Sequence, residues 1–74
     1  MNRDHLTRMA NQIGTFFASM PDKAEAMENL ATHLKRFWEP RMLKEFQALL
    51  AEGGEGVHPL VREALEKHRA LMAA

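Results

Sequence analysis

The sequence predicts an all-α fold, a small four-helix domain, on three observations. Four stretches space their apolar residues by three and four positions, the period of an amphipathic helix. The only β-branched aliphatics are Ile13, Val57 and Val61, against six Met and many Leu and Ala, and no run alternates apolar and polar residues. Pro21, Pro40 and Gly53-Gly54 stand between the stretches, where such residues end helices. The predicted helices cover about 3–19, 23–37, 40–52 and 59–72 of a single domain spanning 1–74.

The first helix carries Leu6, Met9, Ala10, Ile13, Phe16, Phe17 and Met20 within a stripe of roughly 120°. Gly14 interrupts it at a cost of about 1 kcal/mol against Ala. It aligns with Ala10 and Ala18 at four-residue spacing, and this small-residue row forms a shallow groove that another backbone can approach, including that of a second copy. The second helix opens at Asp22, whose carboxylate suits the free N–H groups there, with Glu25 three positions on, as in a capping box. Its apolar face is wide, with Ala26, Leu30, Leu34 and Phe37 on one side and Met27, Ala31 and Trp38 on the other. Such breadth predicts more than one packing neighbour. Lys35 and Arg36 fall in its last turn, where cations suit the dipole.

Pro40 is placed to open the third helix, which carries Met42, Leu43, Phe46, Leu49 and Leu50 on one face. Gly53-Gly54 stops it, and Glu55-Gly56 extends the loop. His58-Pro59 opens the fourth helix, with Leu60, Val61, Ala64, Leu65, Leu71 and Met72 on its face and Glu63 and Lys67 spaced as an exposed ion pair.

A 74-residue chain has a thin core, and without Cys it has no disulfide, thiolate zinc site or cysteine nucleophile. Association with a partner is the remaining common way to stabilise so small a fold. Ten Lys and Arg balance ten Asp and Glu, so the chain lacks the basic excess of a typical nucleic-acid binder. No stretch approaches a membrane span, and no secretory signal is expected from Met1-Asn2-Arg3-Asp4-His5.

The histidines, His5, His33, His58 and His68, include no pair at metal-binding helical spacing. His68 falls within an apolar stripe and reads as a packed ring with one nitrogen bonded to a carbonyl. The carboxylates read as solvated faces and caps rather than a catalytic pair. Gly53-Gly54-Glu55-Gly56 follows a helix and lacks the Gly-Lys-Ser/Thr ending of a phosphate loop. A small helical DNA-binding regulator is the competing functional reading, with helices two and three as a helix-turn-helix. Against it, Arg41 and Lys44 are the third helix's only cations, beside Glu45 and Glu52.

What remains is the junction Phe37-Trp38-Glu39-Pro40-Arg41-Met42, which holds the only Trp. Buried aromatics serve cores and interfaces alike. The helical wheel puts Phe37 mid-stripe, facing inward, and Trp38 at the edge, facing a partner. Arg41 opposes the helix dipole, which an acidic group on a partner would offset. On this reading Trp38→Ala weakens docking more than it weakens folding.

Three motifs, Met9-Ala10-Asn11-Gln12-Ile13 with Phe16-Phe17, then Phe37 to Met42, then Gly53-Gly54 with Leu60 behind, resemble the delta subunit of NAD-dependent formate dehydrogenase over nearly the whole chain. The resemblance implies a cytoplasmic, non-catalytic accessory subunit that docks on a large catalytic subunit and supports assembly, stability or cofactor maturation. It implies that molybdenum or tungsten pterin, iron–sulfur clusters, FMN and NAD belong to partner subunits. No catalytic, cofactor or metal residue is expected in this chain, nor any nucleic-acid or membrane partner. The expected protein-interface residues are Asn11, Gln12, Phe16, Trp38, Glu39, Pro40 and Arg41.

Overall fold

The computed structural model describes residues 2–73, of which Ala73 is described in its backbone alone. The predicted all-α fold is present, with α1 at Arg3–Ala18, α2 at Lys23–Phe37, α3 at Pro40–Ala51, α4 at Pro59–Lys67 and α5 at Arg69–Ala73. No strand occurs among the described residues. The domain measures 33 × 25 × 20 Å.

Local chemistry sets most helix ends. The Asn2 side chain accepts from the Asp4 N–H at 2.8 Å and opens α1. Asp22 does the same for α2, accepting from the Glu25 N–H at 3.2 Å, which is the expected cap. Pro40 occupies the first turn of α3. That helix closes with the Gly53 N–H on Leu50 O and the Gly54 N–H on Leu49 O, both at 3.1 Å. This paired closure needs backbone at positive φ, here +121° at Gly53 and +58° at Gly54, which glycine adopts without strain. His58 caps α4, its Nδ1 accepting from the Leu60 N–H at 3.0 Å.

The wide apolar face of α2 is explained by its position, since it packs against each of the other four helices. Leu30, Ala31 and Leu34 are fully buried there beside Leu6 and Ala10 of α1, Phe46 of α3, and Val61 and Ala64 of α4. Removing these apolar groups from water is the main force holding the domain together.

Four expectations are corrected. The fourth predicted helix, 59–72, is broken at His68, where the backbone leaves helical geometry (φ −105°, ψ 35°) and α5 starts on a new axis. The break brings Met72 into the core over α2 and leaves Leu71 exposed. His68 Nε2 is buried with no hydrogen-bond partner among the described residues, so the expected bond to a carbonyl is not made there. The groove at Gly14 is filled from within, because a Cβ at Gly14 would lie 2.6 Å from Val61 Cγ2 and 3.2 Å from His58 Cγ. Ala18, the third member of the row, is exposed and outside this contact. Glu63 pairs with Lys23 of α2 at 2.8 Å, tying two helices together rather than bonding along α4 to Lys67.

Candidate functional site

The inward Phe37 and outward Trp38 read from the wheel are reversed. Trp38 is 6% exposed and Phe37 is 70% exposed. The helical period itself accounts for this: Trp38 follows Leu34 by four residues and Ala31 by seven, both fully buried, and its N–H still donates to Leu34 O at 2.9 Å, whereas Phe37 follows the half-buried His33 by four. Phe37 is the last helical residue, and Trp38 then leaves the helix in extended backbone (φ −90°, ψ 140°). Glu39 is also extended (φ −65°, ψ 149°), as expected before a proline. The extended step turns the indole under the corner, where it meets Phe46 edge-on with centroids 5.6 Å apart. Trp38 is therefore a core residue, reaching the surface only where it lines a groove at the corner.

With Trp38 inside, the exposed aromatics form a ridge across α1 and α2. Phe16 meets Phe17 edge-on at 5.1 Å, Phe17 meets His33 at 5.9 Å, and His33 lies 4.8 Å from Phe37. Phe16 is 69% exposed, matching Phe37. Gln12, Ile13, Phe16, Phe17 and His33 line a cleft of about 230 Å³ between the helices. Phe16 and Phe17 point about 100° apart on α1, and Phe17 is the one packed half-buried against the core. His33 and Phe37 are one turn apart on α2, which places them side by side.

The other predicted interface residues fall into three places. Gln12 and Phe16 belong to the ridge and its cleft. Asn11 works inside the chain, where its Nδ2 donates to Gly56 O at 2.8 Å and its Oδ1 accepts from the His58 N–H at 2.8 Å. One amide thus pins the α3–α4 loop to α1, which withdraws Asn11 as a free contact group. Glu39, Pro40 and Arg41 are exposed at the start of α3. Pro40 and Arg41 border a second groove, about 580 Å³, lined also by Lys35, Trp38, Leu43, Lys44, Gln47 and Met72.

Sequence reasoning passed over Phe17, His33 and Phe37 as members of an exposed surface. The available signals were the paired Phe16-Phe17 and the four-residue spacing of His33 and Phe37.

The main electrostatic cluster lies elsewhere. Arg3 at the start of α1 donates to Glu45 of α3 at 2.9 Å and to Glu52, just past the end of that helix, at 2.7 Å. The hydrogen bonds that Arg3 donates to Glu52 and then to Glu45 raise the Arg3 pKa, and the hydrogen bond and charge of Arg3 lower that of Glu52. Both ends are open to water, so this is a surface clamp rather than a catalytic pair. Among the described residues no three His, Cys, Asp or Glu side chains gather as a metal set, and no helix is long and apolar enough to cross a membrane.

The family model for the NADH-dependent formate dehydrogenase delta subunit, FdsD, matches residues 5–65 of this chain. The match takes in the aromatic ridge, the Phe37–Met42 junction and the glycine loop. No curated protein and no solved structure matches.

Proposed function

Because this chain belongs to the family of NADH-dependent formate dehydrogenase delta subunits, we propose that it is a non-catalytic accessory subunit that docks on the large catalytic subunit of that complex through the Phe16–Phe17–His33–Phe37 ridge. The carrying observation is the exposure of Phe16 and Phe37, at 69% and 70%, on one continuous row of rings. Two aromatic side chains held open to water in so small a domain forgo burial that would stabilise it. Covering them on a partner recovers that free energy, and aromatic anchors commonly dominate such contacts.

In this reading the chain acts by binding. It supports assembly, stability or cofactor maturation of the catalytic subunit. The pterin-bound molybdenum or tungsten, the iron–sulfur clusters, FMN and NAD reside in partner subunits. The complex is cytoplasmic, with no part for nucleic acid or membrane in the docking.

The test is co-expression of the chain with the large subunit, followed by affinity capture of the chain. Phe16→Ala and Phe37→Ala together are expected to reduce recovery of the large subunit strongly while the free variant keeps its helical circular dichroism. Full recovery with both rings removed would overturn the ridge as the docking surface. Failure of the unaltered chain to capture any formate dehydrogenase subunit would overturn the accessory role itself.

A further inference from the structure

We propose that the groove beneath the α2–α3 corner binds an acidic peptide segment of a protein partner, with two carboxylates at alternate positions and an apolar side chain at the next alternate position, all on one face. Among the described residues its lining includes the exposed cations Arg41 and Lys44 and no Asp or Glu. Its apolar part comes from Trp38, Leu43 and Met72, each nearly buried. Lys35 lies about 200° round α2 from both His33 and Phe37, so the groove sits on the opposite flank from the aromatic ridge. The inference is therefore separate from the docking surface proposed above.

The start of α3 is built against its own stability. Its first turn has no acidic residue, its N-cap Glu39 makes no side-chain capping bond, and Arg41 stands in that turn. A cation there opposes the helix dipole, and a capping carboxylate would have been favourable. Pro40 and the neighbouring Glu39 charge offset part of this, but Arg41 remains an exposed cation at the corner, which an acidic ligand would complement. Lys35 needs no such account, because the last turn of α2 favours a cation.

Geometry selects the ligand class. Arg41 and Lys44 are three residues apart on a helix, which puts their Cβ atoms roughly 5–6 Å apart. Alternate side chains of an extended peptide recur at about 6.6 Å on one face, so two carboxylates at that spacing meet the two cations. The apolar floor beneath them takes a Leu-like side chain. A nucleic-acid strand would need a longer basic track, and the chain as a whole is neutral.

Trp38 is the only Trp and lines the groove, so its emission reports occupancy directly. The full chain is titrated with a terminally blocked Glu-Ser-Glu-Ser-Leu peptide, whose two Glu and Leu share one face when extended, with its Gln-Ser-Gln-Ser-Leu counterpart, and with single-stranded oligothymidylate. Saturable change with the acidic peptide is expected, weakening as salt rises, with about tenfold weaker binding of the amide peptide. Arg41→Glu and Lys44→Glu should each weaken the acidic peptide about tenfold. The melting temperature of Arg41→Glu should rise, because an acid then replaces a cation at the start of α3. Opposite movement of binding and stability separates a ligand contact from a structural role. Equal binding of both peptides, tighter binding of oligothymidylate, no saturation at millimolar peptide, or loss of helix in Arg41→Glu would each overturn the proposal.

Discussion

Trp38 meets Phe46 edge-on, with ring planes 76° apart, and Phe46 is fully buried. The contact joins the α2–α3 corner to the centre of the domain. Trp38→Ala should therefore cost about 3–5 kcal/mol. That matches the roughly 3–5 kcal/mol that a core of this size supplies in total, so the free variant should lose its helical circular dichroism. Phe37→Ala, one residue away and exposed, should leave the thermal midpoint nearly unchanged. Equal loss of helix in both variants would contradict this division.

Gly14 of α1 faces Val61 of α4 with no room for a side chain between them. Alanine at position 14 gains about 1 kcal/mol of helix propensity. Its Cβ would meet a fully buried, stiff Val61 at 2.6 Å. Overpacking of this kind costs about 1–3 kcal/mol, so Gly14→Ala should be destabilising overall in urea. Val61→Ala should cost less in the Gly14→Ala background than alone. An additive double mutant would show that the two residues are not in steric conflict.

Asn11 holds the loop after α3 through both ends of its amide. Asn11→Ala should destabilise by about 1–3 kcal/mol. The backbone amide of His58 should exchange with solvent faster in this variant, while the denaturant slope stays unchanged because the surface exposed on unfolding does not alter. Unchanged exchange at His58 would mean that the loop is held by other groups.

Arg3 keeps the Glu52 carboxyl below its usual range. The unfolded chain then takes up a proton at higher pH than the folded one does. The clamp's contribution is complete above the ordinary Glu value of about 4.3, and it disappears as pH falls through the lower folded value. Arg3→Gln should flatten this part of the stability profile, measured by denaturation between about pH 6 and pH 3. The effect is small, since both groups are open to solvent. An identical acid slope in the variant would refute the linkage.

The first three helices were legible because their ends are local: Asp22, Pro40 and the Gly53-Gly54 pair act on backbone a few residues away. The break at His68 left no such signal, having neither Gly nor Pro, and its outcome depends on Met72 reaching α2. The exchange of Phe37 and Trp38 turned on where the buried stripe is centred: Trp38 lines up with the fully buried Ala31 and Leu34, and Phe37 with the half-buried His33 at its margin. Asn11 was singled out through the resemblance, but its hydrogen bonds reach the 56–58 loop, far beyond any local pattern. Of the ridge, Phe16 alone was expected at an interface, although Phe17 and Phe37 stand in the same motifs. The rest needed the packing of α1 on α2 to bring His33 between Phe17 and Phe37.

The contact of α2 with every other helix has a bearing on how the domain comes apart. No pair of helices forms a self-sufficient piece, because each depends on the same central rod for its apolar cover. Unfolding should accordingly proceed in one cooperative step, with no stable half-domain left behind. A chain shortened after the glycine loop would strip Val61, Ala64 and Met72 from α2 and leave the Gly14 notch empty. The smallest folding unit is thus nearly the whole polypeptide.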